Sequence, residues 1–268
     1  MNSSAPAVDP AAIIARAQGA ITARRLVLAR SLLAAAAKLG ATSAMLGLAE
    51  ARFALVEDRP ADAGATLDRL IAEDEQNPDL RRLRAEAAFA AGDFATAAAH
   101  AAEAVILDRE NPEAKALLGI VLIELGRLED ARACLAEALA QKPLEPNFRL
   151  ALAEAEERRG ALDAAAALFE EGVGLLPSHP LLRTAATQFA LRRGDFATVV
   201  AGARAARAAG VATAEIFGME GSAWLGLGQP EEAARAFEQA SHLAPEDESL
   251  RAAARAAEEF AHQAGHAA

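Results

Sequence analysis

A single spacing dominates the sequence: glycines recur at intervals of 34 residues. The series consists of Gly92, Gly126, Gly160, Gly194 and Gly228. The same interval separates four prolines, which are Pro78, Pro112, Pro146 and Pro180. A fixed period of about 20 to 50 residues is typical of repeat architectures, in which each short unit becomes stable by stacking on its neighbours. The period therefore constrains the fold more strongly than any local motif does.

The same period predicts where helices begin. Steps of 34 residues reach eight candidate N-caps, namely Asp9, Ser43, Asn77, Asn111, Glu145, His179, Thr213 and Asp247. Six of the eight are Ser, Thr, Asn or Asp, the residues whose side chains best accept hydrogen bonds from the first free N–H groups of a helix. Each unit is then interpreted as two helices. In residues 112–145 the first helix is predicted from Pro112 to about Leu125, and the second from Leu128 or Glu129 to about Gln141.

Composition favours an all-α fold. The chain contains 76 alanines, whereas aromatic residues make up only 4%, so strong helix formers are abundant and typical strand formers are scarce. A net charge of −11 argues against nucleic acid as a partner, because phosphate binding needs clustered Lys and Arg. No apolar run approaches the roughly 18 residues of a membrane-spanning helix, so membrane insertion is not expected. The single cysteine, Cys134, excludes an internal disulfide framework and is expected to be inert.

Small residues complete a resemblance to a known family. Places are counted from the first residue of a unit, so that Pro112 is place one. Unit 112–145 has Gly119, Ala131 and Ala138 at places eight, twenty and twenty-seven, and Pro143 near its end. A 34-residue helix–turn–helix with these small residues resembles the tetratricopeptide repeat (TPR). The resemblance implies a right-handed α-solenoid of stacked helix–turn–helix units, and the small residues imply close helix packing that a larger side chain would disturb.

The period also divides the chain. We expect six repeats, at residues 44–77, 78–111, 112–145, 146–179, 180–213 and 214–247. Residues 9–43 keep the phase but have Arg24 in place of the glycine, so they are interpreted as a degenerate, capping repeat with a basic face. Residues 248–262 are predicted to be a C-terminal capping helix, and residues 1–8 and 263–268 to be disordered.

No catalytic or cofactor motif is present, so an enzyme, a cofactor and a metal site are not expected. His100, His179 and His242 are expected to be solvated. In the TPR family the first helices of the units line a concave groove, and the resemblance carries this role onto twelve residues. They are Arg82, Glu86, Phe89, Leu117, Ile120, Ile123, Glu124, Leu150, Glu154, Arg158, Gln188 and Arg192. An apolar strip from Phe89 to Leu150 suits a helix or an extended peptide of a partner, although part of it could pack between neighbouring helices.

The sequence therefore predicts a non-enzymatic scaffold or adaptor that binds a partner protein, in a bacterial cytoplasm. Twenty-four arginines against three lysines are typical of a GC-rich bacterial gene. Two alternatives stay open. The first is a TPR arm or accessory subunit of a glycosyltransferase, sulfotransferase or methyltransferase whose catalytic part lies elsewhere, since the repeats leave no room for it here. The second is a secretion or envelope assembly factor. Homo-oligomerisation through the apolar groove is a further alternative.

Overall fold

The computed structural model describes residues 9–267, with side chains up to residue 263. These residues form fifteen α-helices and no strand, which confirms the all-α repeat fold. The helices are α1 Pro10–Thr22, α2 Leu26–Lys38, α3 Ser43–Val56, α4 Pro60–Glu73, α5 Pro78–Ala90, α6 Phe94–Leu107, α7 Pro112–Glu124, α8 Leu128–Gln141, α9 Pro146–Arg158, α10 Leu162–Leu175, α11 Pro180–Arg192, α12 Phe196–Ala208, α13 Ala214–Gly226, α14 Pro230–Leu243 and α15 Glu248–Ala267. The segment 1–8, predicted to be disordered, lies outside the described residues.

The chain divides into two compact units, Met1–Gln141 and Lys142–Ala268. In the first unit the helices pack as four consecutive pairs, α1 with α2, α3 with α4, α5 with α6 and α7 with α8. In the second unit α9 pairs with α10, α11 with α12, and α13 with α14. The last helix, α15, packs on α14, where it buries Ala254 and Ala257 against Phe237. This contact covers the apolar side of the final pair, as expected for a terminal helix.

Side chains cap the helices at the predicted interval. Asn77 and Asn111 accept hydrogen bonds from the N–H groups of the first turns of α5 and α7. Two residues that are weaker capping types do the same, since Glu145 accepts from Asn147 and the His179 Nδ1 accepts from Leu182. One position is shifted: Thr42, not Ser43, caps α3, because its hydroxyl accepts from Met45. His179 is therefore a helix cap and not simply a solvated side chain.

The turn between the two helices of a pair needs a left-handed residue. The glycines at 92, 126, 160, 194 and 228 have φ between 71° and 81°, a conformation that glycine adopts without strain. In the first two pairs the same places hold Arg24 and Asp58, with φ of 51° and 58°. The Arg25 backbone N–H still donates to the Ala20 carbonyl at 2.8 Å, so the turn is the same. Arg24 therefore adopts a left-handed backbone conformation that is strained for a residue with a Cβ.

The helices are held together at the places of smallest side chains. Place twenty has zero exposed area in seven successive pairs, at Ala29, Ala63, Ala97, Ala131, Ala165, Val199 and Ala233. Place eight is equally tight. A Cβ added to Gly119 would lie 2.6 Å from the Leu135 Cγ, and one added to Gly221 would lie 2.8 Å from the Phe237 ring. These distances leave no room for a larger residue where the two helices of a pair cross.

The helix α15 differs from its prediction. It continues to Ala267, so residues 263–267 are helical where disorder was expected, and residue 268 lies outside the described part. The segment after residue 262 contains no proline, and its alanines at 264 and 267 favour continuation of the helix through Gly265.

The first prediction concerns the packing place. Ala131→Leu should lower the free energy of unfolding by about 1–3 kcal/mol, because the extra atoms must displace neighbours around a fully buried position. Urea denaturation measures the change. Ala133→Leu, on the exposed side of the same helix, is the matched control and should leave stability nearly unchanged. Equal stabilities of the two variants would contradict this packing.

The second prediction concerns the strained turn. Arg24→Gly should stabilise the protein by about 1 kcal/mol, because glycine relieves the left-handed backbone strain. Gly126→Arg is the reciprocal control. No atom lies within 4 Å of a Cβ added there, so its expected destabilisation is a backbone effect alone. Thermal unfolding of both variants tests the pair, and a destabilised Arg24→Gly variant would refute the account.

Candidate functional site

In the second unit, one depression gathers the residues predicted for a binding surface. Its volume is about 460 Å³. The five predicted residues of this unit, Leu150, Glu154, Arg158, Gln188 and Arg192, all line it. They lie on α9 and α11, the first helices of two successive pairs, and the spacing of the repeat brings their exposed faces side by side. The depression is therefore built by the periodicity itself.

The floor of the depression is apolar. Leu150 and Ala185 are partly buried and pack on a cluster that contains Phe169 and Phe189. The Phe169 and Phe189 rings lie 5.1 Å apart, centroid to centroid, in the range of favourable aromatic contacts. An apolar side chain of a partner would find a preformed, rigid surface there.

The rim of the depression carries balanced charges. Arg158 Nη2 lies 2.8 Å from Glu154 Oε1, and Arg192 donates two hydrogen bonds to Glu157, at 3.0 and 2.8 Å. The Gln188 amide donates to Glu215 at 2.6 Å. The arginine side chains are about half exposed, and ion pairs of this kind contribute little to stability. A partner with charges of either sign can therefore replace these ion pairs with its own at little cost in free energy.

In the first unit, Arg82 and Glu86 line another depression, of about 390 Å³. They form an ion pair with each other, and Arg82 also lies 3.5 Å from Asp79. Arg24 and Arg52 line the same depression. It is consequently more basic than the depression of the second unit.

The predicted apolar strip is divided between the two units, with Leu150 in the second and its other members in the first. Phe89 and Leu117 pack on the core formed by Ala88, Ala97 and Val121, as the alternative of interhelical packing anticipated. These two side chains are partly buried, and they contribute to the helix stack as well as to its surface.

The end of α7 corrects the prediction in one position. Ile120 is partly buried and Glu124 is exposed, whereas Ile123 is only 2% exposed and offers no accessible side chain. The position of Ile123 on α7 explains its burial. Ala116, Gly119 and Ile123 follow one another at intervals of three and four residues, so they lie on one buried face of the helix. Ile123 belongs to the core.

Three residues that line the depression, Glu157, Phe169 and Ala185, are not among the twelve predicted ones, and of these Phe169 is the one outside the first helices. It lies on α10, a second helix of a pair, whereas the groove was assigned to first helices alone. A signal was available, since place twenty-four holds Leu135 in one unit and Phe169 in the next. The larger ring reaches the depression between the first helices.

No group of three His, Cys, Asp or Glu side chains in the described part of the chain could hold a metal ion. Burial, with smaller effects of Glu137 and Asp130, raises the pKa of the Cys134 thiol. Less of the thiol is therefore present as the reactive thiolate. No helix in residues 9–267 combines the length and apolarity needed to cross a bilayer.

His100 corrects the expectation of a solvated histidine. Its side chain is 19% exposed, and its Nδ1 is buried without a hydrogen-bond partner among the described residues. Burial lowers the pKa of His100 below the ordinary value of 6.5, and the nearby Arg84 and Arg81 act in the same direction, against Glu103 and Asp68. The folded state therefore favours the neutral imidazole.

The paired helices, the left-handed turns and the buried small places define a class of helical repeat protein, and sequence comparison names the class. Two models of the tetratricopeptide repeat family match the chain, one over residues 54–114 and the other over residues 88–155. Residues 54–155 of the chain therefore consist of tetratricopeptide repeats. No curated protein matches the sequence.

Solved structures share this fold at low sequence identity. A tetratricopeptide repeat protein from Parabacteroides merdae is 18% identical with a TM-score of 0.62, over 91% of this chain and 97% of that chain. PilW, a type IV pilus biogenesis factor, is 17% identical with a TM-score of 0.65, over 78% and 97%. YrrB, a tetratricopeptide repeat protein with an unusual peptide-binding site, is 17% identical with a TM-score of 0.53, over 71% and 96%. At these identities the likeness concerns the fold alone.

A third prediction follows from His100. Because its pKa is lowered in the folded state, the unfolded state binds the proton first, so stability should fall as the pH drops below about 6.5. His100→Gln should make the free energy of unfolding less dependent on pH in this window. Urea denaturation at a series of pH values measures the slope, and His242→Gln, at an exposed position of α14, is the control. An unchanged slope in His100→Gln would contradict the assignment.

Proposed function

We propose that this protein is a non-enzymatic scaffold that binds an extended peptide segment of a partner protein in the depression of its second unit. The general part of this statement follows from the family, since tetratricopeptide repeats commonly mediate protein–protein interaction. The specific part is supported by one observation: five residues that the resemblance to the family assigns to the groove line a single depression of about 460 Å³.

The lining suggests what the peptide offers. An interface typically has an apolar centre and a polar rim, and here Leu150, Phe169 and Ala185 form the centre. Glu154, Arg158 and other charged groups form the rim. A segment with one apolar side chain for the centre, flanked by charges of both signs, would complement this surface. The peptide-binding site of YrrB is a precedent for such a role on this fold.

A fourth prediction tests the depression directly. Ala185→Arg places a long charged side chain on its floor, so it should weaken peptide binding by at least about tenfold, as expected for a central interface position. Ala164→Arg introduces the same change on the exposed side of α10, outside the depression, and is the matched control. Peptides selected by display on the wild-type protein would be titrated against all three proteins by fluorescence anisotropy.

The outcomes separate clearly. Selected peptides that bind the control like the wild type, but bind Ala185→Arg poorly, support the proposed site. Peptides that bind all three proteins equally would place the interaction on another surface. Circular dichroism verifies that both variants retain their helices. If selection yields no peptide for the wild type, the proposal of an extended peptide ligand fails.

A further inference from the structure

A second cavity in the same unit is lined by α12 and not by α9, and it has a different character. It has a volume of about 500 Å³ and is formed by α10, α11 and α12. Ala201, Gly202 and Ala205 line it from α12, and Phe169 and Phe189 contribute aromatic walls. α12 contributes only small side chains to the lining, and these leave the space open. Its volume is within the range of about 300–1,000 Å³ that is typical of small-molecule sites.

A periodic ion pair shows what is unusual about this cavity. In three successive repeats a base at place four of the first helix pairs with a glutamate at place twenty-six of the second helix. The pairs are Arg81–Glu103 at 2.7 Å, Lys115–Glu137 at 2.9 Å and Arg149–Glu171 at 2.8 Å. Each of these basic side chains is largely buried, and a glutamate on the second helix of its own repeat neutralises its charge.

The next repeat keeps the base but lacks the acid. Arg183 stands at place four, and Ala205 at place twenty-six. Arg183 is only 7% exposed. Its Nε donates to the Pro177 carbonyl, just as Arg149 donates to the Pro143 carbonyl at 3.0 Å. The geometry of the repeat is therefore preserved, and only the carboxylate has been exchanged for a methyl group.

No other residue replaces that carboxylate. Among the described residues, none forms an ion pair with Arg183. Arg193 on the same lining pairs with Asp163 at 3.2 Å. Asp195 accepts hydrogen bonds from Thr198, the shorter at 2.7 Å. Glu170 also lines the cavity, but it forms no ion pair with Arg183.

A buried guanidinium without an anion is costly, because it has lost water and gained no opposite charge. Burial accordingly lowers the pKa of Arg183 below the ordinary arginine value. A guanidinium has five N–H donors in a planar fork that matches a carboxylate. Arg183 uses one of these donors to bind the Pro177 carbonyl. Its remaining N–H groups are available to a ligand in the cavity that Arg183 lines.

We propose that this cavity binds a small monocarboxylate with an apolar tail. The carboxylate pairs with Arg183, in the position that glutamate occupies in the three preceding repeats, and the tail lies against Phe169, Phe189 and the alanines of α12. The size of the cavity and its apolar walls favour a free small molecule. This cavity and the peptide depression share Phe169, and their other lining residues differ. Substitutions of those other residues can therefore test the two sites separately.

Decanoate is a suitable probe, and 1-decanol is its uncharged counterpart of equal chain length. Isothermal titration calorimetry on the full chain should show saturable binding of decanoate and binding of decanol that is weaker by at least about tenfold, since a charged hydrogen-bonded pair is lost. Decanoate should also raise the melting temperature, because a ligand of the folded state stabilises it.

Three variants test the role of Arg183. Ala205→Glu restores the periodic acid within the chain, so it should fold and should lose decanoate binding by about tenfold or more. Ala208→Glu adds the same charge at an exposed place of α12 and should bind like the wild type. Arg183→Gln removes the charge and should also lose decanoate binding, which keeps the test decisive should Ala205→Glu fold poorly.

Several results would overturn the proposal. Decanoate and decanol binding with equal affinity would mean that Arg183 does not recognise the carboxylate. Unchanged decanoate affinity in Ala205→Glu or in Arg183→Gln would place the ligand elsewhere. Absence of saturable decanoate binding to the wild-type protein would show that the cavity is not a site for this class of ligand.

Discussion

The close contact of paired helices at their smallest side chains supports every other feature of this protein. Place twenty has no exposed area in seven successive pairs, and Gly119 and Gly221 allow the facing leucine and phenylalanine to approach the helix backbone. Such contacts are short-range, so a single large residue would separate the helices and misalign the next pair. Both depressions depend on this alignment, because each is lined by residues of successive repeats.

Variation outside these fixed places creates the candidate sites. Where place twenty-four is Phe169 instead of leucine, the ring forms part of the floor of the depression in the second unit. Where α12 has Gly202 and Ala205, a cavity forms beside it. Arg183 lines the same cavity, and its counterparts Arg81 and Arg149 are paired with glutamates. A repeat protein can gain a specific site in this way without altering its scaffold, since the packing places are unchanged.

Much of this fold was predictable from the sequence. The interval between glycines located the turns, and the capping residues located the helix starts to within one residue, as Thr42 and Ser43 illustrate. The resemblance to the family also selected five residues of α9 and α11 that line one depression of the second unit. The prediction failed at Ile123, because sequence places alone do not reveal how deeply a helix face is buried. It was incomplete at Phe169, because a side chain of a second helix can reach between the first helices.

By itself, the sequence determined the repeat, its helices and the surface that successive first helices share, because a period of 34 residues fixes which side chains recur on each face. Only the tertiary structure decided which of those side chains are accessible. Burial depends on what the neighbouring repeat places opposite each position, and this is why Ile123 joins the core, His100 is largely buried, and Arg183 lines a cavity in which no acid stands at place twenty-six to pair with it.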